Sequence, residues 1–115
     1  MNIEFKDFKI GDMRIEIPII QGGMGVRVSS SGLASAVSNE GGLGVIASVG
    51  LGENGGASTG DYVTRSRNSL VSVIRKTRTI TDKPFGVNIM CAITNYDDLV
   101  DAAQQESVDV IISGA

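Results

Sequence analysis

Residues Pro18 to Ala47, PIIQGGMGVRVSSSGLASAVSNEGGLGVIA, decide how the rest of the chain is read. Pro18-Ile19-Ile20-Gln21 is a short β-branched run that stops at Gly22-Gly23, the pattern of a buried parallel strand ending where the backbone turns sharply. Glycines at such a turn allow positive φ and let a flat ligand lie against the main chain. Met24 adds a polarizable side chain suited to aromatic faces, and Gly25 follows it. The serine triplet Ser29 to Ser31 is expected to cap a helix that turns Leu33, Ala36 and Val37 inward. Gly41-Gly42 ends that helix, and Leu43 to Ala47 is the next buried strand. The unit is therefore βαβ, with parallel strands.

Gly23-Met24-Gly25 also begins a G-x-G-x-x-G pattern, which would suggest a dinucleotide site. The third glycine position is Val28, and the second strand ends in Ala47-Ser48 without the acidic residue that would hold a ribose. Both departures argue against a dinucleotide fold.

Upstream, Asn2 to Glu16 alternate loosely between apolar and polar residues, which predicts a short hairpin or extended arm turning at Gly11-Asp12. Downstream, Ser48 to Asp61 is rich in glycine and poor in large apolar residues, and reads as a mobile loop or an active-site cover. A helix is predicted from Tyr62 to about Thr79 with Leu70, Val73, Ile74 and Thr77 on one face, its arginines lying on a solvated face. Pro84 to Met90 is the third strand, with proline tolerated at its first position. Thr94 to Asp97 resembles a capping box before a helix that buries Leu99, Ala102 and Ala103. Val108 to Ile112 is the fourth strand, breaking at Ser113-Gly114-Ala115.

Strands alternating with helices predict a parallel α/β architecture. A (β/α)8 TIM barrel uses roughly 30 residues per unit, so 115 residues correspond to about half of one. A small doubly wound sheet of flavodoxin type is the alternative. Ending on a strand with no helix to cover it, residues 1–115 read as one partial domain, the N-terminal half of a TIM barrel truncated after its fourth strand.

Composition narrows the function. The net charge is −3 without a basic run, so neither nucleic acid nor an anionic membrane surface is an expected partner. No stretch reaches the roughly 20 apolar residues of a membrane span, and no signal-peptide pattern opens the chain. The single cysteine, Cys91, permits no internal disulfide and fits a reducing, cytoplasmic setting; it reads as a small buried residue. Histidine is absent, which removes the commonest general base and metal ligand.

In a barrel the working residues sit at the carboxyl ends of the strands. Here those ends are Gly22 to Gly25, Ala47-Ser48, Asn88 to Met90 and Ser113 to Ala115. They hold glycine, methionine, small residues and one amide, Asn88, with no carboxylate, histidine or lysine. Metal chemistry and acid–base hydrolysis lack their groups in such a set. A planar cofactor that brings its own reactivity suits it, with the protein supplying backbone contact and a polar anchor, and a flavin is the natural candidate.

PIIQGGMG, GLASAVSNEGGLGVI, DKPFGVNIM and a strand ending in SGA, in that order, resemble the flavin-binding half of the nitronate monooxygenase (2-nitropropane dioxygenase-like) family. The flavin-dependent enoyl-acyl carrier protein reductases are close relatives of that family. The resemblance covers Pro18 to Ala115 and implies an FMN-containing TIM barrel acting on a small-molecule substrate. It implies that Gly22, Gly23, Met24 and Gly25 line the cofactor and that Asn88 hydrogen-bonds it. The family's catalytic histidine and phosphate-binding loops lie beyond the fourth strand, so no catalytic residue is expected here. Two activities follow from the resemblance: oxidation of nitronates by oxygen, or NAD(P)H-dependent reduction of an enoyl thioester. A reading of another class is a non-catalytic half-barrel whose unpaired edges drive homo-oligomerisation.

Overall fold

The computed structural model describes residues 4–6, 8–52 and 62–115. The chain opens with an antiparallel hairpin, β1 (Phe8–Ile10) and β2 (Met13–Ile15), in which Phe8 pairs with Ile15 and Ile10 with Met13. The hairpin turns at Gly11-Asp12 as expected, with Gly11 at a φ of 57°. Then follow α1 (Ser31–Asn39), β3 (Gly44–Ala47), α2 (Tyr62–Ile80), β4 (Phe85–Met90), α3 (Tyr96–Gln105) and β5 (Val110–Gly114). Residues 53–61, most of the predicted glycine-rich loop, lie outside the described residues.

Strands β3, β4 and β5 form a parallel sheet in sequence order. The segment 17–21 lies along the outer edge of β3 through a parallel bridge between Ile20 and Leu43. The four chain segments therefore neighbour one another in the order in which they occur. A flavodoxin-type sheet would place the first strand between the second and third, so that alternative is excluded. Helix α1 packs on α2 and α2 on α3, which makes the helices one layer against the sheet.

Alternation along the strands sends side chains to two cores. Ile46, Phe85, Val87 and Ile89 join Leu70, Ile74, Leu99, Ala102 and Ala103 under the helices. Leu43 and Val45 face the other way and pack with Ile15, Phe8, Val110 and Ile112, so the hairpin covers part of the second face of the sheet. The predicted faces of α2 and α3 hold: Leu70, Ile74 and Thr77 are buried and Val73 packs beside them, while α3 buries Leu99, Ala102 and Ala103.

Several expectations are corrected. Pro18 to Gln21 is no buried strand: Ile19 is 57% exposed, and one bridge is its only ladder contact among the described residues. The buried face of α1 is Ser31, Ala34, Ser35 and Ser38, with Leu33 and Ala36 outside and Val37 only half-covered. The reason is close approach. A Cβ at Gly44 would overlap the Ala34 carbonyl, so only small residues fit where the helix meets β3. Ser38 Oγ accepts the Gly44 N–H at 3.0 Å and donates to Pro84 O at 2.8 Å, tying the helix to two strands. The helix ends as predicted: Gly41 sits at a φ of 101°, and the N–H groups of Gly41 and Gly42 donate to Ser38 O and Val37 O.

The other helix starts also differ. Neither Ser30 before α1 nor Asn95 before α3 makes a side-chain cap, and the capping box at Thr94 does not form. The fourth strand lies two residues later than predicted and includes Ser113-Gly114. The α2 arginines are not simply solvated: Arg67, Arg75 and Arg78 pair with Asp101, Glu106 and Asp109 across the seam with α3 and the start of β5. Cys91 is exposed, because the chain at that point has left β4 for the rim. No described helix is long and apolar enough to cross a membrane.

Candidate functional site

The glycine-rich segment is anchored before it turns. The main-chain N–H of Gln21 donates to Leu43 O at 3.0 Å. The Gln21 side chain then continues the pairing: Oε1 accepts the Val45 N–H at 3.0 Å, and Nε2 donates to Val45 O at 3.1 Å. A side-chain amide thus engages both peptide groups of Val45, as the next residue of a paired strand would. The backbone is released at Gly22.

The returning end of the loop is held by Ser29, whose side chain is buried. Its Oγ accepts from Met24 N–H at 3.0 Å and from Gln21 Nε2 at 3.1 Å, and donates to Gly22 O at 3.3 Å. Its main-chain N–H donates to Met24 O at 3.2 Å, and its carbonyl accepts the Ala47 N–H at 2.8 Å. The loop is thereby tied to the carboxyl end of β3. Between these anchors Gly25 adopts a φ of 74° and Arg27 a φ of 60°.

Gly23, Met24 and Gly25 line a cleft of about 170 Å3 together with Ala47, Ser48, Val49, Asn88 and Met90. Four of the five predicted site residues are brought together at the carboxyl ends of β3 and β4. Gly22 is the exception: it does not line the cleft, and its carbonyl is turned to Gln21 and Ser29. Met24 is no core filler, since it is 73% exposed.

Gly23 passes directly over β3 and β4. A Cβ there would stand 2.8 Å from Asn88 Cβ and 2.9 Å from Val45 Cγ1, closer than carbon atoms pack. Asn88 is half-buried in register with Ala47 and Ile112. Its carbonyl accepts the Ser48 N–H at 3.1 Å, whereas its side-chain amide has no hydrogen-bond partner among the described residues. Ser48 Oγ, also in the lining of the cleft, is buried and likewise unpartnered among them. A buried unpaired group such as the Ser48 hydroxyl is costly, and with the half-buried Asn88 amide it gives the cleft unused hydrogen-bonding capacity beside apolar and glycine surface. Among the described residues no charged side chain lines it.

The sequence alone does not single out Gln21 or Ser29, and it places Ser48 on the rim without a role. For Gln21 a signal existed, a lone amide closing an apolar run. Nothing local separates Ser29 from its two serine neighbours. A larger depression of about 480 Å3 lies between Arg27, Ser30 and α2, to which the carboxyl ends of the strands contribute nothing. At the rim, Ser113 Oγ joins Tyr96 OH at 2.7 Å and Cys91 Sγ at 3.0 Å.

Among solved structures, FabK from Thermotoga maritima is 40% identical and superposes with a TM-score of 0.68, over 88% of this chain and 28% of that one. A protein of Mycobacterium tuberculosis named (3aS,4S,5R,7aS)-5-hydroxy-7a-methyl-1-oxo-octahydro-1H-indene-4-carboxyl-CoA dehydrogenase is 38% identical over 84% of this chain and 23% of its own length. A nitronate monooxygenase of Pseudomonas aeruginosa is 44% identical over 67% of this chain and 18% of its own length. The chain thus spans under a quarter of the curated relatives it matches. The model of the family described as nitronate monooxygenase matches residues 6–112. With that match running from the first strand of the hairpin into β5, the chain belongs to the nitronate monooxygenase family.

Proposed function

We propose that these residues form one wall of the flavin pocket in an FMN-dependent oxidoreductase built on a (β/α)8 barrel, and that the activity is oxidation of a nitronate by oxygen. The observation that carries this reading is the Asn88 amide, without a partner among the described residues, beside Gly23 to Gly25 in a cleft whose described lining holds no charged side chain. A planar heteroaromatic ring whose edge offers hydrogen-bond partners fits that surface. A protein that grips by charge or metal would line its cleft differently.

Within this reading Gly23 supplies close main-chain approach, Met24 and Met90 supply polarizable packing, and Asn88 orients the cofactor edge through its amide. A bound flavin supplies the electron transfer between an organic substrate and its acceptor. The residues of this chain bind and orient; no group among those lining the cleft is suited to hold or move a proton. The proton-transferring residue belongs to the remainder of the protein, as does the main hold on the FMN phosphate. A cytoplasmic enzyme with a small-molecule substrate is the setting proposed.

A second reading keeps the pocket and changes the substrate to an acyl thioester, with NAD(P)H as reductant. It is favoured by the Mycobacterium tuberculosis relative, which is named as a carboxyl-CoA dehydrogenase. Purified full-length protein carrying this segment is expected to be yellow with FMN absorbance. Turnover on a nitronate with oxygen uptake, set against NAD(P)H oxidation with an enoyl thioester, separates the two substrates. A colourless protein that cannot be reconstituted with FMN overturns both.

A further inference from the structure

We infer that Gln21 and Ser29 are positioning residues which set the shape of the glycine-rich wall for the cofactor, an inference that rests on reading the cleft as a flavin site. The loop from Gly22 to Val28 has little apolar burial to hold it. Met24, Val26 and Val28 are 73%, 49% and 67% exposed. Two of its residues, Gly25 and Arg27, occupy left-handed backbone conformations, which cost free energy for a non-glycine residue and persist only where neighbours enforce them. The polar network around Ser29 is the enforcing element.

That network is also selective in what it leaves open. Both peptide groups of Met24 are consumed by Ser29, through Oγ and through its main-chain N–H. The Gly22 carbonyl is consumed by Gln21 Nε2 at 2.9 Å and by Ser29 Oγ. The main-chain groups of Gly23 and Gly25 make no hydrogen bond among the described residues. Ser29 and Gln21 therefore turn the Gly22 and Met24 groups inward and leave Gly23 and Gly25 to face a ligand. Because Gln21 Oε1 and Nε2 hold Val45 in the same network, the loop is registered against β3, the strand that ends at Ala47 and leads into Ser48.

The test uses full-length protein carrying this segment and FMN itself as the probe. Ser29→Ala removes one acceptor and one donor from a buried site. It is expected to weaken FMN binding about tenfold, the effect of one lost hydrogen bond of ordinary strength. It is also expected to change the visible circular dichroism of the bound flavin and to speed hydrogen exchange at the Met24 amide. Ser29→Thr, which keeps the hydroxyl, should restore all three. Gln21→Glu keeps the acceptor for Val45 N–H but loses the Nε2 donor, and should reproduce the weakening; it carries the same test should Ser29→Ala unfold. Wild-type protein that binds FMN, with both Ser29→Ala and Gln21→Glu matching its affinity and its visible dichroism, overturns the positioning role alone. Wild-type protein that binds no FMN overturns the flavin reading and this inference with it.

Discussion

Gly23 and Asn88, 65 positions apart in the chain, meet so closely that a methyl group on Gly23 would lie 2.8 Å from Asn88 Cβ. The glycine is needed for proximity and not for an unusual φ. Gly23→Ala must push Asn88 or Val45 aside and is expected to lower FMN affinity at least tenfold in the full-length protein, with a modest loss of stability. Gly22→Ala is the control: its Cβ would meet only the flexible Met24 side chain at 3.9 Å, and affinity should stay near wild type. Flavin fluorescence titration of the two variants checks the contrast.

Asn88→Ala takes away the unpartnered amide. If that amide anchors the cofactor, FMN binding weakens by about 1–3 kcal/mol, the penalty for leaving a buried polar edge unsatisfied. Unchanged affinity, measured by the same titration, would return Asn88 to a purely structural role.

Gly44→Ala tests the contact of α1 with the sheet. The new Cβ would overlap the Ala34 carbonyl and come 2.7 Å from Ser38 Oγ, and a helix backbone cannot yield without moving the helix. A loss of about 1–3 kcal/mol or more is expected from such overpacking, read from the urea midpoint. A midpoint equal to wild type would show that α1 can shift freely.

Arg75 donates to both oxygens of Glu106, at 2.7 and 3.0 Å. The hydrogen bond from Arg75 outweighs the cost of burial and, joined by the attraction of the Arg75 charge, holds Glu106 below the usual carboxylate range. The folded state therefore favours the ionised form more than the unfolded state does. The stabilisation is present above the unfolded glutamate pKa of about 4.3 and fades as pH falls through the lower folded value. Glu106→Gln should be slightly less stable than wild type at neutral pH and equal to it in strong acid. A gap that persists at about pH 2 would contradict the pairing.

The outer edge of the 17–21 segment is largely apolar. Ile19 and Ile20 are 57% and 44% exposed, and Ile17, Ile19, Ala36 and Val37, with Glu40 and Gly42, line a groove of about 370 Å3. Residues 1–115 produced alone are expected to self-associate through this edge, and Ile19→Lys to shift them toward monomer. Sedimentation over a range of concentrations decides it; a wild-type monomer throughout counts against the edge as a contact surface.

Much of the architecture is legible in the residues themselves. Gly11-Asp12, Gly41-Gly42 and the helical stripes of α2 and α3 each state a local rule, and local rules survive folding where packing agrees with them. The apolar stripe of α1 misleads for a definite reason. Burial there is governed by how near the helix can come to Gly44, which favours Ala34 and three serines over Leu33 and Val37. The salt bridges of α2 are equally hidden, because each arginine's acidic partner lies more than 30 residues further along.

What the sequence determined by itself was the α/β alternation, the family, and the set of residues brought to the rim, since these follow from residue type and order along one strand or helix. What only the tertiary structure decided was which of those residues meet. Gly22 turns away while Gly23 sits on Asn88, Ser29 binds the loop while Ser30 caps nothing with its side chain, and Gln21 acts as a strand through its amide. Close approach and hydrogen-bond partnership are relations between distant parts of the chain, and no local pattern encodes them.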